Sequence, residues 1–283
     1  MRKILKYGYI KLDRLYLRLD KELLRRTRNL RWIPKFHDRR GGKVSYGEWC
    51  HVVGIFQTLL YIHLNQKANN HILDIGCGTG LLAIASEPFI GDSGKYIGID
   101  VSKEDISFCK KHYLEDNFSF IHLNVYNQTY ASKQNTNKMK WDISNESMDM
   151  VAALSVFTHF NEDDAIFYFR EIDRVLKPGG KAIITFFLLN DTYYQTLQNK
   201  SNTRSKYHNT RQDAWIFDQP CSKSNHWLHP QWVKQPEDAI GVAPVGIESL
   251  QQGTRLFLTE TYEGNWKEVP GIFFQDILVF QKR

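Results

Sequence analysis

The segment from His71 to Leu82 constrains the fold more than any other part of the chain. Its sequence, HILDIGCGTGLL, begins with a short apolar stretch and continues into three glycines at alternate positions. Glycine lacks the side chain that would hold a ligand away from the backbone. We expect a helix to start at Thr79, and the first turn of a helix presents unpaired N–H groups. The segment therefore predicts a buried strand, a tight loop and a helix that together bind a small ligand.

The spacing of the glycines separates two classes of cofactor. Dinucleotide-binding folds use Gly-x-Gly-x-x-Gly. Here Gly76, Gly78 and Gly80 form Gly-x-Gly-x-Gly, and Asp74 lies ahead of them. This pattern resembles motif I of the class I S-adenosylmethionine-dependent methyltransferases, whose ligand has no phosphate. An ordinary strand, turn and helix is the alternative, although an acid with three spaced glycines is more specific than a lone glycine motif.

Two further strands agree with this resemblance. The strand Lys95–Asp100 ends on a carboxylate. In nucleoside-binding sheets, an acid at about this distance along the sequence from the glycine loop accepts both hydroxyls of a ribose. An N-cap for the next helix is the alternative role of Asp100. A third strand, over residues 118–123, ends at Asn124, where the family often has an acid that accepts from the adenine amino group. The amide oxygen of Asn124 can also accept.

The remaining landmarks follow in order along the chain. The fourth strand, Met148–Ser155, continues into Val156-Phe157-Thr158-His159, a stretch similar to one in many of these enzymes. Residues 176–180, LKPGG, are another such landmark, and they precede a strand over 181–187. The proline stops the preceding helix, and the two glycines allow a tight reversal into the strand. The resemblance covers residues 71–188.

The alternation of strands and helices predicts a parallel sheet. With the resemblance, we expect an α/β fold with a seven-stranded, mostly parallel Rossmann-like sheet, helices on both faces and a C-terminal antiparallel strand. Segments 254–261 and 273–280 supply the last two strands. The chain divides into a basic amphipathic N-terminal extension over 1–45 and a class I methyltransferase domain over 46–283, with an insertion at about 190–235.

The resemblance also implies roles for individual residues. S-adenosyl-L-methionine is the expected cofactor, and no metal ion is expected. His159 is the candidate general base, because methylation of a hydroxyl requires removal of its proton; a hydrogen bond to a neighbouring backbone group is the alternative. The expected cofactor-binding residues are Asp74, Gly76, Cys77, Gly78, Gly80, Asp100, Val101, Asn124, Val125 and Ser155.

Positive charge is concentrated at the N-terminus. Residues 1–43 hold 15 Lys and Arg against four acids, a local charge of +11 in a chain whose net charge is +6. Apolar residues at helical spacing in this region form a stripe, and the basic residues lie mostly elsewhere on the helix. Such a helix can contact an anionic membrane surface or phosphates; alternatively, the stripe packs on the domain. The stripe consists of Leu12, Leu15, Tyr16, Leu19 and Leu23.

The insertion at about 190–235 is the candidate acceptor site. In sheets of this kind, ligands bind outside the carboxyl ends of the strands, where the connection after the fifth strand lies. Aromatic side chains among polar groups suit stacking against sugars or planar rings, and packing against one another is the alternative. The aromatic residues concerned are Tyr193, Tyr194, Trp215, Phe217, Trp227 and Trp232.

We therefore expect an O-methyltransferase that modifies a sugar hydroxyl of a glycan or glycolipid. A methyltransferase of a small aromatic or polyketide metabolite is one alternative, and a non-catalytic nucleic-acid or partner-binding module with the same fold is another. The expected partners are the acceptor and a membrane surface contacted peripherally; nucleic acid is not expected. Four scattered cysteines, and no apolar run of about 20 residues, predict a cytoplasmic location with membrane association as a further expectation.

Overall fold

The computed structural model describes residues 2–23, 28–40, 45–125, 138–221 and 224–283. The chain forms two compact units, residues 1–123 and 124–283. None of the described helices is both long and apolar enough to cross a membrane.

The first unit contains a three-stranded parallel sheet, in which β2 pairs with β1 on one side and with β3 on the other. Short 3-10 turns at Arg28–Trp32 and Phe36–Asp38 follow the first helix. The elements are α1 (Arg2–Leu23), α2 (Tyr46–His63), β1 (His71–Ile75), α3 (Leu81–Ile90), β2 (Lys95–Asp100), α4 (Lys103–His112) and β3 (Phe118–His122).

Helix α2 illustrates how the sequence builds this unit. Ser45 caps the helix, because its hydroxyl accepts from the Glu48 N–H at 3.1 Å. Side chains at every third or fourth position are almost fully buried, so one face of the helix packs into the core. These side chains are Trp49, Val53, Phe56 and Leu60.

In the second unit, β5 pairs in parallel with β4 and β8, and β10 runs antiparallel to both β5 and β9. Short strands β6 and β7 pair antiparallel, and β7 pairs antiparallel with β8. The elements are β4 (Met148–Ala153), α5 (Glu162–Val175), β5 (Leu176–Leu188), α6 (Asp191–Leu197), β6 (Gln219–Pro220), β7 (Trp227–His229), β8 (Gly241–Val242), α7 (Pro244–Gln251), β9 (Leu256–Tyr262) and β10 (Asp276–Lys282).

The predicted α/β fold, with parallel strands and an antiparallel C-terminal strand, is confirmed. The described part of the chain has ten strands rather than seven, because the insertion and the segment after it add β6, β7 and β8. The expected reversal before the fifth strand lies inside β5, which begins at Leu176 and shifts register against β4 between Met148 and Met150. A residue before proline favours extended backbone, and Gly179 has a φ of +78°.

Helix α1 packs on its unit through a narrow face and leaves the predicted apolar stripe exposed. Asp13 and Leu17 are each only 5% exposed, whereas Leu12, Leu15, Tyr16 and Leu19 lie between 58% and 66% exposure. The alternative, that the stripe packs on the domain, is therefore wrong for the three leucines, whereas the Tyr16 ring packs edge-on against Tyr46, with ring centroids 5.9 Å apart. The side chain of Leu23 lies outside the described residues.

The insertion packs into a core that it shares with neighbouring segments. Tyr193 and Phe217 are buried in a cluster with Phe187, Leu189, Ala239 and Trp266, against which Trp215 packs, and Trp227 is fully buried. Most of its aromatic residues are therefore buried, but against residues outside the insertion as well as one another. Tyr194 and Trp232 remain about half exposed, at 52% and 53%, so these two rings are accessible to a ligand.

Candidate functional site

The glycine loop between β1 and α3 is held in a conformation that glycine favours. Gly76, Gly78 and Gly80 have φ values of +69°, +50° and +85°, and side-chain-bearing residues rarely adopt this left-handed region. The N–H groups of Gly76 and Cys77 both donate to the Ile99 carbonyl, at 2.8 and 3.1 Å. The loop is therefore fixed to the end of β2.

Two of the glycines have different surroundings. A Cβ atom at Gly80 would lie 2.5 Å from the Tyr113 hydroxyl oxygen, so Gly80 is required for packing. At Gly78 the nearest heavy atoms among the described residues belong to Arg40, at 3.7 and 3.9 Å, which is ordinary contact. A Cβ atom would therefore fit at Gly78 beside the Arg40 side chain, and it is the left-handed backbone that favours glycine there.

Asp100 lies beside the Gly78 backbone, at the end of β2. One carboxylate oxygen accepts from the Gly78 N–H and the other from the Ser102 N–H, each at 2.8 Å. Burial raises the pKa of Asp100, while these two hydrogen bonds act in the opposite direction. The N-cap of α4 is Ser102, whose hydroxyl accepts from the Asp105 N–H, so the alternative N-cap role for Asp100 is wrong. A carboxylate has about four acceptor positions, and further hydroxyl donors can use those that remain.

Asp74 lies in the interior of the unit. It is 2% exposed, and its carboxyl group accepts a hydrogen bond from the Tyr96 hydroxyl. Burial raises the pKa of Asp74 to about 8, and the Tyr96 hydrogen bond opposes this rise. At neutral pH the group is therefore mostly protonated and acts as part of the core beside the loop.

The raised pKa of Asp74 predicts a specific pH dependence of stability. Between about pH 4 and pH 8 the carboxyl group is ionised in the unfolded chain and protonated in the folded chain, so stability falls as the pH rises and levels off above pH 8. We expect Asp74→Asn to remove this component, which amounts to about 2 kcal/mol between pH 6 and pH 8. Urea denaturation at both pH values measures it. Asp92→Asn, at an exposed position, is the control, and a wild-type slope in Asp74→Asn would contradict the prediction.

Two other predicted residues contribute mainly backbone atoms. Burial raises the pKa of the Cys77 thiol well above its usual range, so this thiol is poorly suited to act as a nucleophile. Val101 follows β2, and its carbonyl accepts from Nε2 of His122 at 3.1 Å. These contacts shape the turn in which Asp100 lies.

The other predicted residues belong to the second unit. Asn124 is exposed and Val125 is buried. Ser155 has a φ of +59°; its N–H donates to the Thr185 hydroxyl, and its own hydroxyl accepts from the Gln275 amide, each at 2.7 Å. A non-glycine residue with this φ is uncommon. Thr185 and Gln275, which also bond to each other, hold Ser155 in place.

His159 ends a 3-10 turn, Phe157–His159, that follows β4. Its Nδ1 lies 2.7 Å from the Glu237 carbonyl oxygen. Because a carbonyl can only accept, Nδ1 carries the proton and Nε2 is the basic nitrogen. Burial lowers the pKa of His159, which favours the neutral ring. The backbone hydrogen bond, which is the alternative role for His159, is present, and it involves Nδ1 rather than Nε2.

Sequence reasoning missed the position of Arg40. Its side chain lies against Gly78, and its guanidinium group donates to Asp105 and to the His37 carbonyl, each at 2.9 Å. The sequence shows a run of basic residues here but gives no spacing signal that would place one of them beside the loop. A cation at this position suits an anionic group on the ligand.

Comparison with known proteins agrees with this geometry. A methyltransferase-domain family matches residues 72–180. The demethylmenaquinone methyltransferase of Oceanobacillus iheyensis is 31% identical over 120 residues, 42% of this chain and 45% of that protein. An O-methyltransferase of Pyrenophora dematioidea is 32% identical over 128 residues, 45% of this chain and 43% of that protein. The chain thus spans about half the length of the curated relatives that it matches.

A solved structure extends the likeness of the fold over most of the chain. A protein from Pyrococcus horikoshii superposes with a TM-score of 0.53 at 16% identity, covering 90% of this chain and 99% of that one. At this identity the likeness concerns the fold alone. Together with the family match over residues 72–180, these findings show that this part of the chain is a class I-like, S-adenosylmethionine-dependent methyltransferase domain.

Proposed function

We propose that the chain transfers the methyl group of S-adenosylmethionine to a sugar hydroxyl of a glycan or glycolipid. The observation that carries this proposal is the state of His159. A buried imidazole with its proton held on Nδ1 is neutral and has a basic nitrogen at Nε2. An aliphatic hydroxyl is a very weak acid, so its methylation benefits from a base of this kind.

The residues of the glycine loop fit the cofactor. Gly78 has no side chain that would hold a ligand away from the loop, and the Asp100 carboxylate has acceptor positions left for the two ribose hydroxyls. Arg40 and the first turn of α3 suit the carboxylate of the amino-acid part. When bound, S-adenosylmethionine supplies a methyl group already activated by its sulfonium, so the protein has mainly to align the acceptor and exclude water.

The protein must also remove the proton of the acceptor hydroxyl. In the proposed step, Nε2 of His159 would take the hydroxyl proton as the acceptor oxygen bonds to the methyl carbon. The bond from that carbon to the sulfonium sulfur would break, and S-adenosylhomocysteine would leave as the second product. The bond from Nδ1–H to the Glu237 carbonyl keeps the ring in position and stabilises the imidazolium that results. Proton transfer to solvent then restores the base.

The relatives favour a second candidate acceptor, a phenolic hydroxyl of a small aromatic metabolite. One of them is named for demethylmenaquinone and another is an O-methyltransferase of Pyrenophora dematioidea. The exposed rings of Tyr194 and Trp232 suit stacking against either a sugar or an aromatic ring. A phenol ionises more readily than a sugar hydroxyl, so it depends less on a base.

A labelling experiment tests the proposal and separates the two candidates. The purified chain is incubated with methyl-labelled S-adenosylmethionine and panels of glycans, glycolipids and simple phenols, and products are read by mass shift. We expect label in the saccharide panel, with transfer slowed strongly by His159→Ala. Label confined to phenols would favour the second candidate, and cofactor binding without transfer to either panel would reject both.

A further inference from the structure

Helix α1 presents an exposed apolar face. Successive residues of an α-helix turn by about 100°, which places five large apolar side chains on an arc of roughly 100°. This arc lies on the side away from the buried residues Asp13 and Leu17. Its members, between 58% and 66% exposed, are Leu5, Leu12, Leu15, Tyr16 and Leu19. Exposed contiguous apolar surface of this kind marks an interaction site more often than an ordinary surface.

The orientation of this face is fixed by the other side of the helix. The Arg39 guanidinium donates to both carboxylate oxygens of Asp13, at 3.0 and 3.1 Å, and both side chains of this ion pair are essentially fully buried. Tyr9 packs edge-on against Phe36, with ring centroids 5.8 Å apart. Breaking a buried ion pair is strongly unfavourable, so α1 does not turn its leucines toward its own unit.

Basic residues border the apolar face. Lys11, Arg14 and Arg18 are exposed and lie on the arc next to it. A helix with an apolar face and adjacent Lys and Arg residues lies in the interface of a membrane, where its apolar side chains enter the acyl region and its cations contact anionic headgroups. The positive charge beside the exposed leucines therefore favours an anionic membrane surface as their partner.

We propose that α1 binds the surface of a bilayer containing anionic phospholipids. Leu5, Leu12, Leu15 and Leu19 enter the boundary between headgroups and acyl chains, and the three basic residues contact lipid phosphates. This surface is separate from the proposed acceptor chemistry. It would hold the enzyme where lipid-borne acceptors are found.

Vesicle flotation of the full chain tests the proposal. We expect binding to vesicles of phosphatidylcholine with phosphatidylglycerol, and little binding to phosphatidylcholine alone. An anionic surface contributes about 1 kcal/mol for each Lys or Arg near it, so Lys11→Glu/Arg14→Glu/Arg18→Glu should weaken binding by roughly 100-fold or more. Leu12→Ser/Leu15→Ser/Leu19→Ser should weaken it by at least about tenfold, because less apolar area enters the bilayer.

Matched controls are available in the same unit. Lys103→Glu/Lys110→Glu/Lys111→Glu changes three exposed lysines of α4 and so alters net charge by the same amount. Leu114→Ser changes a leucine that is 76% exposed and lies outside α1. Both controls should bind anionic vesicles like the wild type, and calorimetry with S-adenosylmethionine shows that each variant is folded.

Three results would overturn the proposal. The first is equal binding to neutral and anionic vesicles. The second is an equal loss of binding in the α4 control. The third is a concentration-dependent dimer in analytical ultracentrifugation that the leucine variant abolishes, since a second copy would then cover this face. Failure of vesicle binding leaves the methyl-transfer assay unaffected, so the two proposals are judged separately.

Discussion

Replacing Gly78 by leucine is expected to weaken the binding of S-adenosylmethionine by roughly 100-fold or more, which corresponds to about 2.7 kcal/mol. The Gly78 backbone lies beside the Arg40 side chain and the Asp100 carboxylate, and a leucine side chain would take up the space that the proposed ligand needs there. Isothermal calorimetry with S-adenosylmethionine and S-adenosylhomocysteine measures the loss. Wild-type affinity in this variant would contradict the assignment of the loop.

Gly253 provides a control for the strain that the substitution introduces. Its φ of +74° also lies in the left-handed region, and a Cβ atom there would meet nothing within 4 Å among the described residues. A side chain at either glycine adds strain of about 1 to 2 kcal/mol. We therefore expect Gly78→Leu and Gly253→Leu to lower the free energy of unfolding by similar amounts, while only Gly78→Leu loses cofactor affinity.

The second large effect concerns His159. We expect His159→Ala to lower kcat for a sugar acceptor by about 10²- to 10⁴-fold, the usual contribution of a general base, with unchanged affinity for S-adenosylmethionine. Because burial lowers the pKa of His159, wild-type turnover should persist below pH 6.5 and fall only when the ring becomes protonated. The variant should lack this acidic limb in its pH profile.

His71→Ala is the matched control for this substitution. Nε2 of His71 also faces a backbone carbonyl, that of Ser93, at 3.4 Å, but His71 begins β1, at the end of the strand away from the glycine loop. We expect its replacement to change kcat by less than about threefold. A His159→Ala enzyme with wild-type turnover and an unchanged pH profile would remove His159 as the base.

The strands and the loop were predictable because their signals are local. A short apolar run and spaced glycines placed β1, the turn and α3, and the acid at the end of β2 pointed to the contact between Asp100 and Gly78. The apolar run over 118–123 similarly predicted β3. In each case neighbouring residues in the sequence carry the information.

Contacts between distant segments could not be predicted in this way. Ser155 depends on Thr185 and Gln275, and Arg40 reaches Gly78 only through tertiary packing. Helical periodicity showed that α1 is amphipathic but not which side faces the domain. The orientation of α1 depends on Asp13, a charged residue. Its ion pair with Arg39 is buried, so the leucines on the other side of the helix face outward.

Two adjacent arginines, Arg39 and Arg40, link helix α1 to the glycine loop. Arg39 binds Asp13 of α1, and the next residue, Arg40, lies against Gly78. A chain shortened by removing α1 would take away the carboxylate that receives two of the hydrogen bonds of Arg39. The resulting rearrangement would begin one peptide bond away from the residue beside the loop. The helix is thus an integral part of the unit that carries the glycine loop, and removing it would disturb the residues beside that loop.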